Sequence, residues 1–518
     1  MATTKLRSMR NLFFILSGIL VALIAALGHW VSSGFYWTYL VVLPIVAVGM
    51  HNAFQTKKAI LRNYPIIGML RYFFEEIRPE IQQYFVENDT DGAPFSRELR
   101  SVVYQRAKRQ LDTVPFGTQR DLYLQGAEWA QHSLAPKHVD PKAMRVMIGN
   151  HQCRQPYSAS LFNISAMSYG SLSAQAIQSL NGGAKLGGFY HNTGEGGVSP
   201  HHLEPGGDIV WQIGTGYFGC RNLDGTFSPE KFRERVVHPH IKMVEIKLSQ
   251  GAKPSHGGIL PAAKVTAEVS AIRGVPMKKD VISPPAHSKF SSATGLIKFV
   301  AELRELSDGK PIGFKICIGD PAEFAAICRA MKELDTYPDF ITIDGAEGGT
   351  GAAPLEFTNS LGMPWVDGLT IARDLLDHFD IKKHVRLITS GKVVTGFHLM
   401  KALALGADAV NSARGMMLAL GCIQARRCNT NHCPAGVATN NPNLTVGLVV
   451  EDKRQRVANF HENTIRAFAE ILGACGLESP HQLSRRHILR RGETGAVHSY
   501  AELYPSRAAE FASAPSLF

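Results

Sequence analysis

The chain has 518 residues, a formal net charge of +11, 45% hydrophobic residues and 19% charged residues, which is typical of a globular protein with one to three domains. Its basic residues are spread out and are not interleaved with aromatic residues, which argues against a nucleic-acid-binding groove. Five of its eight cysteines are isolated in sequence, which excludes the disulfide framework of a small secreted protein and favours a reducing compartment.

The first sixty residues contain two long apolar stretches, NLFFILSGILVALIAALGHW and FYWTYLVVLPIVAVGMHN, and no charged residue lies between Asn11 and Thr56. Each stretch approaches the ~20 apolar residues that cross a bilayer as a helix. Aromatic residues crowd the short link, as they do at a membrane interface. Basic residues flank both ends and place them on the cytoplasmic side; they are Lys5, Arg7, Arg10, Lys57, Lys58, Arg62 and Arg71.

We therefore expect residues 1–56 to form a transmembrane hairpin of two helices, with the rest of the chain in the cytoplasm. The alternative is a cleaved signal peptide followed by a buried core helix. Residues 57–150 contain the helical pattern ELRSVVYQRAKRQLD and are expected to form a helical connector that packs on the catalytic body. Residues 451–518 are expected to form a helical C-terminal extension.

Residues 151–450 alternate short apolar runs with helical stretches, which predicts an α/β domain with a parallel sheet. The number of runs favours a closed (β/α)₈ TIM barrel, with an open sheet as the alternative. In a barrel, the loops at the carboxyl ends of the strands build the functional site. The predicted strands are LFNISAM, GGFYHNT, DIVWQI, KMVEIKL, PIGFKICIG, DFITID, VRLITSG and ADAVNSA.

Three cysteines follow the last predicted strand, in the loop 421–439, with the spacing C-x5-C-x4-C and a proline after the third. Thiolates are soft ligands that suit iron–sulfur clusters and zinc. Three thiols in one loop resemble a cluster loop more than a zinc knuckle, which usually contains C-x2-C pairs. Zinc binding and a purely structural role remain the alternatives.

Cationic residues lie where several predicted strands end. Lys315 lies in the middle of an apolar strand, where a buried ammonium needs an anionic partner unless it reaches solvent at the strand end. We expect that charge to lie under an electron-accepting ring. The stretch KLSQGAKPSHGG suits binding of a dicarboxylate by charge-assisted hydrogen bonds. SGK and SARG end the last two strands, where barrels commonly hold a phosphate.

A single G-x-G-x-x-G match, GTGYFG at Gly214–Gly219, follows a predicted strand, but no amphipathic helix follows it. A dinucleotide fold needs that helix to bind the pyrophosphate. The sequence therefore gives no convincing NAD(P) site.

Several stretches between about Ser165 and Asn440, roughly half of the chain, resemble the FMN-binding synthase domain of the glutamate synthase family, in the family's order. They are SAMSYGSLS, NTGEGG, QGAKP with GGILP, ISPPAHSKF, GFK, DGAEGGTGAAP and GC…C…CPAGVAT. The resemblance implies a (β/α)₈ barrel that reduces 2-iminoglutarate, formed from 2-oxoglutarate and ammonia, to L-glutamate at FMN. It also implies a 3Fe–4S cluster that delivers the electrons.

The resemblance assigns roles to particular residues. It implies cluster ligation by Cys422, Cys428 and Cys433, and a position for Lys315 beside the flavin, where its charge would stabilise the reduced ring. The implied FMN contacts are Ser165, Ala166, Met167, Ser168, Gln212, Lys247, Lys315, Gly391, Lys392, Ala413 and Arg414. The implied substrate contacts are Gln250, Lys253 and His287, and the catalytic candidates are Lys315, Gln250 and Lys253.

The chain departs from the family at two points. Full-length members begin with a glutaminase domain, whereas this chain begins with the apolar hairpin, so we expect a stand-alone synthase. Ser255 and His256 stand where the larger enzymes have an acidic residue in KPGEGG, which fits the absence of glutaminase coupling.

The leading prediction is a membrane-anchored oxidoreductase that aminates 2-oxoglutarate, with electrons from a ferredoxin or a separate reductase subunit. One alternative is a related flavoenzyme that uses another amine or oxo-acid, such as an N-alkylglutamate synthase. The other is a non-catalytic electron-transfer subunit of a membrane complex, which Lys315 and the glycine-rich loops argue against.

Overall fold

A computed structural model of the chain describes residues 9–110, 112–516 and 518. Lys5 and Arg7, two of the predicted basic flanks, lie outside the described residues. The chain divides into two compact units that meet in sequence at Gly92 and Ala93. The sequence places its boundaries at 56 and 150, so the residues expected to form one connector belong to two different units.

The described residues of the first unit form four α-helices. Two helical segments, Met9–Trp30 and Ser33–Phe54, are long and apolar enough to cross a membrane, and only 11% and 6% of their apolar windows are buried. This low burial is unlike that of a core helix in a soluble protein. Ser33–Thr38 is a 3₁₀ turn that links the first two helices. The helices are α1 (Met9–Trp30), α2 (Tyr39–Phe54), α3 (Ala59–Asn63) and α4 (Gly68–Ile81).

The second unit begins with elements that precede the barrel. Helix α5 (Arg97–Ala107) starts at Ser96, whose hydroxyl accepts a hydrogen bond from the Leu99 backbone N–H at 3.4 Å. Three short strands follow, and the last two pair with each other in antiparallel fashion. These strands are β1 (Glu128–Ala130), β2 (Arg145–Ile148) and β3 (Tyr157–Ser160).

Eight parallel strands close into a barrel, which confirms the predicted (β/α)₈ fold. Each of the eight predicted strand segments overlaps one barrel strand. Between the fourth and fifth barrel strands lies a long excursion that carries a two-stranded hairpin, β8 (Ile259–Leu260) with β9 (Val281–Ile282). The barrel strands are β4 (Phe162–Ile164), β5 (His191–Asn192), β6 (Ile209–Ile213), β7 (Ile241–Lys247), β10 (Ile312–Ile316), β11 (Phe340–Asp344), β12 (Arg386–Ser390) and β13 (Ala409–Ser412).

Helices surround the barrel, and most begin at a residue that satisfies a free backbone N–H. The Ser173 hydroxyl accepts from Ala176 N–H, and the Asp320 carboxylate accepts from Ala322 N–H. The helices are α6 (Ala174–Gly187), α7 (Pro200–Leu203), α8 (Pro229–Val236), α9 (Ala267–Arg273), α10 (Ala293–Leu306), α11 (Pro321–Glu333), α12 (Leu355–Ser360), α13 (Trp365–His378), α14 (Gly396–Ala404), α15 (Arg414–Leu420), α16 (Pro442–Thr445) and α17 (Val450–Ala474).

The C-terminal region contains strands that the sequence does not predict. Helix α17 packs closely on α6, where a Cβ on Gly183 would lie 2.6 Å from Val457. Beyond it, β14 (Ile488–Arg491) and β15 (Val497–Ser499) complete a three-stranded sheet with β1. Their few residues carry too little alternation to be recognised, and the partner strand β1 lies far away in sequence. Two short helices end the chain, α18 (Tyr500–Leu503) and α19 (Ala508–Ala512).

Candidate functional site

A cavity of about 740 Å³ lies where the carboxyl ends of the barrel strands meet. This volume falls within the range of small-molecule and cofactor sites. Most of the predicted site residues line it: Ser165–Ser168, Gln212, Lys247, Gln250, Lys315, Gly391, Lys392, Ala413, Arg414 and the three loop cysteines. The convergence follows from parallel closure, which brings all eight strand ends to one face of the barrel.

Lys315 and Asp344 form a buried ion pair, called here the paired centre. The Lys315 Nζ lies 3.0 Å from the Asp344 Oδ2, and the two side chains are only 7% and 10% exposed. The Asp344 carboxylate also accepts hydrogen bonds from the Ser390 hydroxyl and from the Gly251 backbone N–H. Every partner that a buried carboxylate needs is therefore supplied by the protein.

Both members of the paired centre are charged. Burial by itself would lower the pKa of Lys315, but Asp344 and Glu245 more than offset it and raise the pKa above its ordinary value. Burial would likewise raise the pKa of Asp344, but Lys315 and the two hydrogen bonds lower it. The anionic partner expected for Lys315 is thus a carboxylate of the chain itself. Lys315 also faces the cavity, so its position beside a flavin stays a prediction.

Glu245 organises the polar layer inside the barrel beneath the cavity. Its carboxylate accepts hydrogen bonds from the Asn192 amide and the Gln212 amide, each at 2.7 Å, and from the Thr342 hydroxyl at 2.6 Å. Glu245 and its three donors come from four different strands of the barrel, β5, β6, β7 and β11. The network fixes the side chain of Gln212, a predicted flavin contact, at the cavity wall.

A second charged group, called here the cationic cluster, consists of Glu195, Lys247, Lys253 and Arg273. The Lys247 Nζ lies 2.9 Å from the Glu195 Oε1. Burial would raise the pKa of Glu195, but Lys247, Arg273 and Lys253 lower it, so the carboxylate is ionised. One carboxylate therefore faces three basic side chains, and the cluster has an excess of positive charge.

Lys253 and Arg273 are the incompletely satisfied members of the cluster. Lys253 is 1% exposed, its Nζ has no hydrogen-bond partner among the described residues, and burial lowers its pKa to about 8. Burial lowers the pKa of Arg273 to about 10, although Glu195 opposes this. The Arg273 Nη2 donates a hydrogen bond to the Tyr169 carbonyl at 3.1 Å, but the Arg273 Nε has no hydrogen-bond partner in the part of the chain that the structure describes. Buried cations with unused donors are suited to an anionic ligand.

Two glycines allow the backbone to lie close to the charged side chains of this cluster. A Cβ on Gly196 would lie 2.8 Å from the Arg273 Nη2, and a Cβ on Gly258 would lie 2.4 Å from the Glu195 Oε1. The glycines of NTGEGG and GGILP therefore make room for a guanidinium and a carboxylate.

A third basic group lies at the ends of β12 and β13. Burial lowers the pKa of Lys392 and of Arg414, and the mutual repulsion of the two cations adds to the effect on Lys392. Arg414 also donates a hydrogen bond to the Glu347 carbonyl and packs 5.0 Å from the centroid of the Phe95 ring. A Cβ on Gly349 would lie 2.9 Å from the Arg414 Cζ, so this glycine also accommodates the guanidinium.

The three loop cysteines all line the same cavity. Burial raises the pKa of the Cys422 thiol to about 11, and Cys428 and Cys433 add to the rise, so the three sulfurs are close enough to interact electrostatically. Burial lowers the pKa of Lys264 to about 8, whereas Cys428 and Cys433 raise it, so the Lys264 ammonium lies near these two sulfurs. Among the described residues, no three His, Cys, Asp or Glu side chains are arranged to hold a single metal ion.

His287 is a predicted substrate contact that the structure places elsewhere. Its Nε2 lies 3.0 Å from the Lys247 carbonyl and its Nδ1 lies 3.0 Å from the Tyr217 hydroxyl. Burial lowers its pKa to about 4, so the ring is neutral. With both ring nitrogens engaged, His287 supports the backbone of Lys247 and is not among the residues that line the cavity.

Sequence reasoning missed Arg273 and gave Asp344 no specific partner. Arg273 is the last residue of helix α9 and precedes a glycine. Basic residues are common at the C-terminal ends of helices, where they interact favourably with the helix dipole. No local pattern in the sequence distinguishes this buried arginine from arginines at the protein surface. Asp344 ends a predicted strand and Glu195 closely follows another, but their partners Lys315 and Lys247 come from different strands, so the sequence does not reveal the pairing.

The chain also matches known proteins. Residues 110–478 match the family described as "Conserved region in glutamate synthase". The chain is 38% identical over 502 residues to the Glutamate synthase large subunit-like protein YerD of Bacillus subtilis, with 88% of this chain and 95% of that protein covered.

More partial matches are found in two prokaryotic enzymes. The chain is 36% identical over 331 residues to an Archaeal glutamate synthase [NADPH] of Methanocaldococcus jannaschii and 33% identical over 337 residues to an Archaeal-type glutamate synthase [NADPH] of Thermotoga maritima. These alignments cover 64% and 65% of this chain, and 61% and 62% of the length of those proteins.

Solved structures give only a distant likeness. A flavocytochrome b2 variant with pyruvate bound and a mandelate oxidase variant with a monooxide FMN adduct each align with a TM-score of 0.42 at 13% identity. The alignments cover 84% and 83% of this chain, and 91% and 99% of those chains.

Proposed function

The chain belongs to the glutamate synthase family, and from this premise we propose that it is a membrane-anchored, FMN- and iron–sulfur-dependent synthase that converts 2-oxoglutarate to L-glutamate. It is an oxidoreductase of the class that acts on CH–NH2 donors. The observation that carries the proposal is one cavity at the barrel mouth, which is lined by the paired centre, by Glu195 and Lys247 of the cationic cluster, by the Lys392–Arg414 group and by three cysteines; Lys253 and Arg273 lie behind this lining.

The cavity fits FMN in size and in charge. Lys392 and Arg414 are two partly desolvated cations at the ends of the last two strands, and they would hold the phosphate. Gln212, Lys247 and the backbone of Ser165–Ser168 line the wall and would contact the ring system. When bound, FMN supplies the two electrons that reduce the imine.

The cysteine loop fits a cluster with three thiolate ligands. Cys422, Cys428 and Cys433 supply soft donors to one cavity, and Lys264 supplies a nearby positive charge that would offset the negative charge of the thiolates. Such a cluster would pass electrons from a ferredoxin or a reductase subunit to the flavin site.

The cationic cluster would bind the substrate. 2-Oxoglutarate carries two carboxylates, and Lys253 and Arg273 offer unused donors and excess positive charge. Gln250 lines the cavity nearby and would orient the keto or imino end. Ammonia adds to the keto carbon with loss of water, and two electrons with two protons then complete L-glutamate. Lys315, held by Asp344, keeps a fixed positive charge at the cavity wall during this reduction.

The test is to reduce the purified protein chemically under anaerobic conditions and to find which oxo-acid and amine together reoxidise the flavin. We expect 2-oxoglutarate with ammonium to do so and L-glutamate to appear. Reoxidation only with an alkylamine would identify an N-alkylglutamate synthase, which the replacement of the family's acid by Ser255 and His256 keeps open. Reoxidation by no such pair would contradict catalysis and leave the electron-transfer alternative.

The cluster is tested separately by Cys428→Ser. The variant should lose iron, inorganic sulfide and visible cluster absorbance, because one of three thiolates is removed. Cys328→Ser is the matched control, since Cys328 is fully buried in helix α11, away from the cavity lining. Wild-type iron and sulfide in Cys428→Ser would refute the ligand assignment.

We also propose that α1 and α2 cross the membrane and that the barrel lies in the cytoplasm. The support is their length, apolar composition and low burial, together with Arg10, Lys57 and Lys58 at one end of the hairpin. The full chain should sediment with membranes and resist extraction with alkaline carbonate. Recovery in the soluble fraction, or a mature chain that begins within or after α1, would contradict the anchor.

A further inference from the structure

Helix α4, which follows the proposed membrane hairpin, carries an apolar face that the other described elements of the first unit leave uncovered. Apolar side chains recur along one side of it at helical spacing, at Leu70, Phe74, Ile77 and Ile81, and Phe73 lies beside them. Leu70, Phe73 and Phe74 are 54%, 53% and 56% exposed. The face continues through Tyr84 and Phe85 in the π-helical turn Gln82–Val86, where Phe85 is 83% exposed.

The opposite side of α4 is the side that packs on its own unit. Gly68 is buried, and a Cβ there would lie 3.1 Å from the Ile60 carbonyl and 3.3 Å from Leu61. The Lys58 Nζ lies 4.2 Å from the centroid of the Tyr72 ring, and Tyr72 is half-buried. The helix is therefore attached by a small face, while its larger apolar face points away from the elements to which it is attached. Contiguous exposed apolar surface of this kind marks an interaction site.

The start of α4 is fixed to one end of the hairpin. The buried Asn52 amide donates a hydrogen bond to the Pro65 carbonyl at 2.7 Å. Residues 64–67 also line an apolar cavity of about 280 Å³ together with α1 and α2. This end of the hairpin is where α1 begins and α2 ends, and Arg10, Lys57 and Lys58 mark it as the headgroup level.

We propose that α4 and the turn after it lie in the membrane interface, with the face formed by Leu70, Phe73, Phe74, Ile81 and Phe85 immersed at the boundary between headgroups and acyl chains. Amphipathic helices rich in aromatic side chains bind at this depth. The Arg71–Glu75 ion pair, at 2.8 Å and exposed, lies on the polar flank and stays in water. The proposal assumes that the hairpin crosses a bilayer, as proposed above.

Apolar contact, rather than charge, drives this binding. Residues 57–87 contain five basic and four acidic side chains, a net charge of only +1. Such a small excess gains little from anionic lipids. The interfacial position should therefore be the same in zwitterionic and in mixed anionic bilayers.

The test uses the full chain in phosphatidylcholine nanodiscs, with a nitroxide label attached at single introduced cysteines. Phe74→Cys and Leu70→Cys report on the apolar face, Glu75→Cys on the polar flank and Ile19→Cys on the hairpin itself. The unsubstituted chain, labelled in the same way, gives the background from native cysteines. Collision of the label with oxygen, which concentrates in lipid, is compared with collision with a water-soluble nickel chelate.

At positions 70 and 74 we expect a several-fold higher ratio of oxygen to nickel collision than at position 75, unchanged when anionic lipid is added. High nickel collision at 70 and 74 would overturn the proposal by placing the face in water. Low collision with both reagents would overturn it by showing a protein cover. The label at position 19 separates this inference from the membrane anchor, because lipid contact at 19 without lipid contact at 74 refutes only the interfacial helix. All four positions have solvent-exposed side chains, so labelling disturbs no core.

Discussion

The paired centre and the cationic cluster are both buried assemblies of acids and lysines at the barrel mouth, yet their charge balance differs. Lys315 has a carboxylate at 3.0 Å, and its pKa is raised. Lys253 has no hydrogen-bond partner among the described residues, and its pKa is lowered to about 8. The paired centre is balanced within the described chain, whereas the cationic cluster has an excess of positive charge that a bound anion would balance, as proposed for the substrate. The difference in charge balance leads us to propose a positioning role for Lys315 and a ligand-binding role for Lys253.

The same substitution at the two lysines should change stability in different ways, and this is the largest expected difference. Lys315→Met leaves Asp344 buried without its cation and should lower the free energy of unfolding by about 3–5 kcal/mol. Lys253→Met removes an unsatisfied buried ammonium and should leave the stability of the ligand-free protein unchanged or raise it. Denaturant unfolding of the two variants measures the difference. Equal destabilisation would show that Lys253 has a partner in the folded protein.

A double substitution sharpens this assignment. Lys315→Met combined with Asp344→Asn should destabilise the protein by less than the sum of the single changes. The double variant removes both charges, so that no buried charge is left without its partner. Arg373→Met with Asp377→Asn is a matched control on helix α13, where a half-exposed pair should show little coupling. Additive effects at 315 and 344 would mean that the 3.0 Å contact is energetically unimportant.

Turnover should depend strongly on Lys315. Loss of a fixed positive charge beside the reacting groups should lower kcat by about 10²–10³-fold in Lys315→Met, since preorganised charge stabilises the transition state directly. Flavin content should remain, because Lys392 and Arg414 would supply separate contacts to the phosphate. Flavin content, the flavin midpoint potential and kcat are the measurements. Normal potential with normal kcat would return Lys315 to a purely structural role.

Affinity for the oxo-acid should depend on Lys253. Removal of one charge-assisted hydrogen bond should weaken binding of 2-oxoglutarate by about 10–10²-fold in Lys253→Met, with a smaller effect on kcat at saturation. Lys264→Met is a useful comparison, because Lys264 has a similarly lowered pKa but lies by the cysteines. Titration calorimetry gives Kd for each variant. Unchanged Kd in Lys253→Met would remove this lysine from the substrate site.

Binding of 2-oxoglutarate should also weaken with rising pH. In the ligand-free protein Lys253 has a pKa of about 8, so it is protonated below that pH and loses its charge above it. Kd should therefore rise above pH 8, by at most about tenfold per pH unit for one proton. Glu195 has a lowered pKa and stays ionised throughout this range, and Arg273 titrates only near 10. The rise should be absent in Lys253→Met, and a rise of equal size in that variant would assign the titration to another group.

The sequence alone determined much of the architecture. All eight barrel strands overlap segments that were recognisable as short apolar runs followed by turns, because strand and helix periodicity are local properties. The cysteine spacing and the uncharged stretch from Asn11 to Thr56 are likewise readable residue by residue. The sequence also identified Lys315 as a buried cation that requires an anionic partner, since its strand neighbours are apolar.

Only the tertiary structure decided which groups meet. Asp344 pairs with Lys315 because β10 and β11 are adjacent in the closed barrel and both side chains lie near the same strand ends. Arg273 joins the cationic cluster because helix α9 of the long excursion lies against the loops after β4 and β5. His287 contacts the Lys247 carbonyl because the same excursion also brings residue 287 against the end of β7. Contacts between distant segments depend on how the barrel closes, and no local pattern of residues encodes that closure.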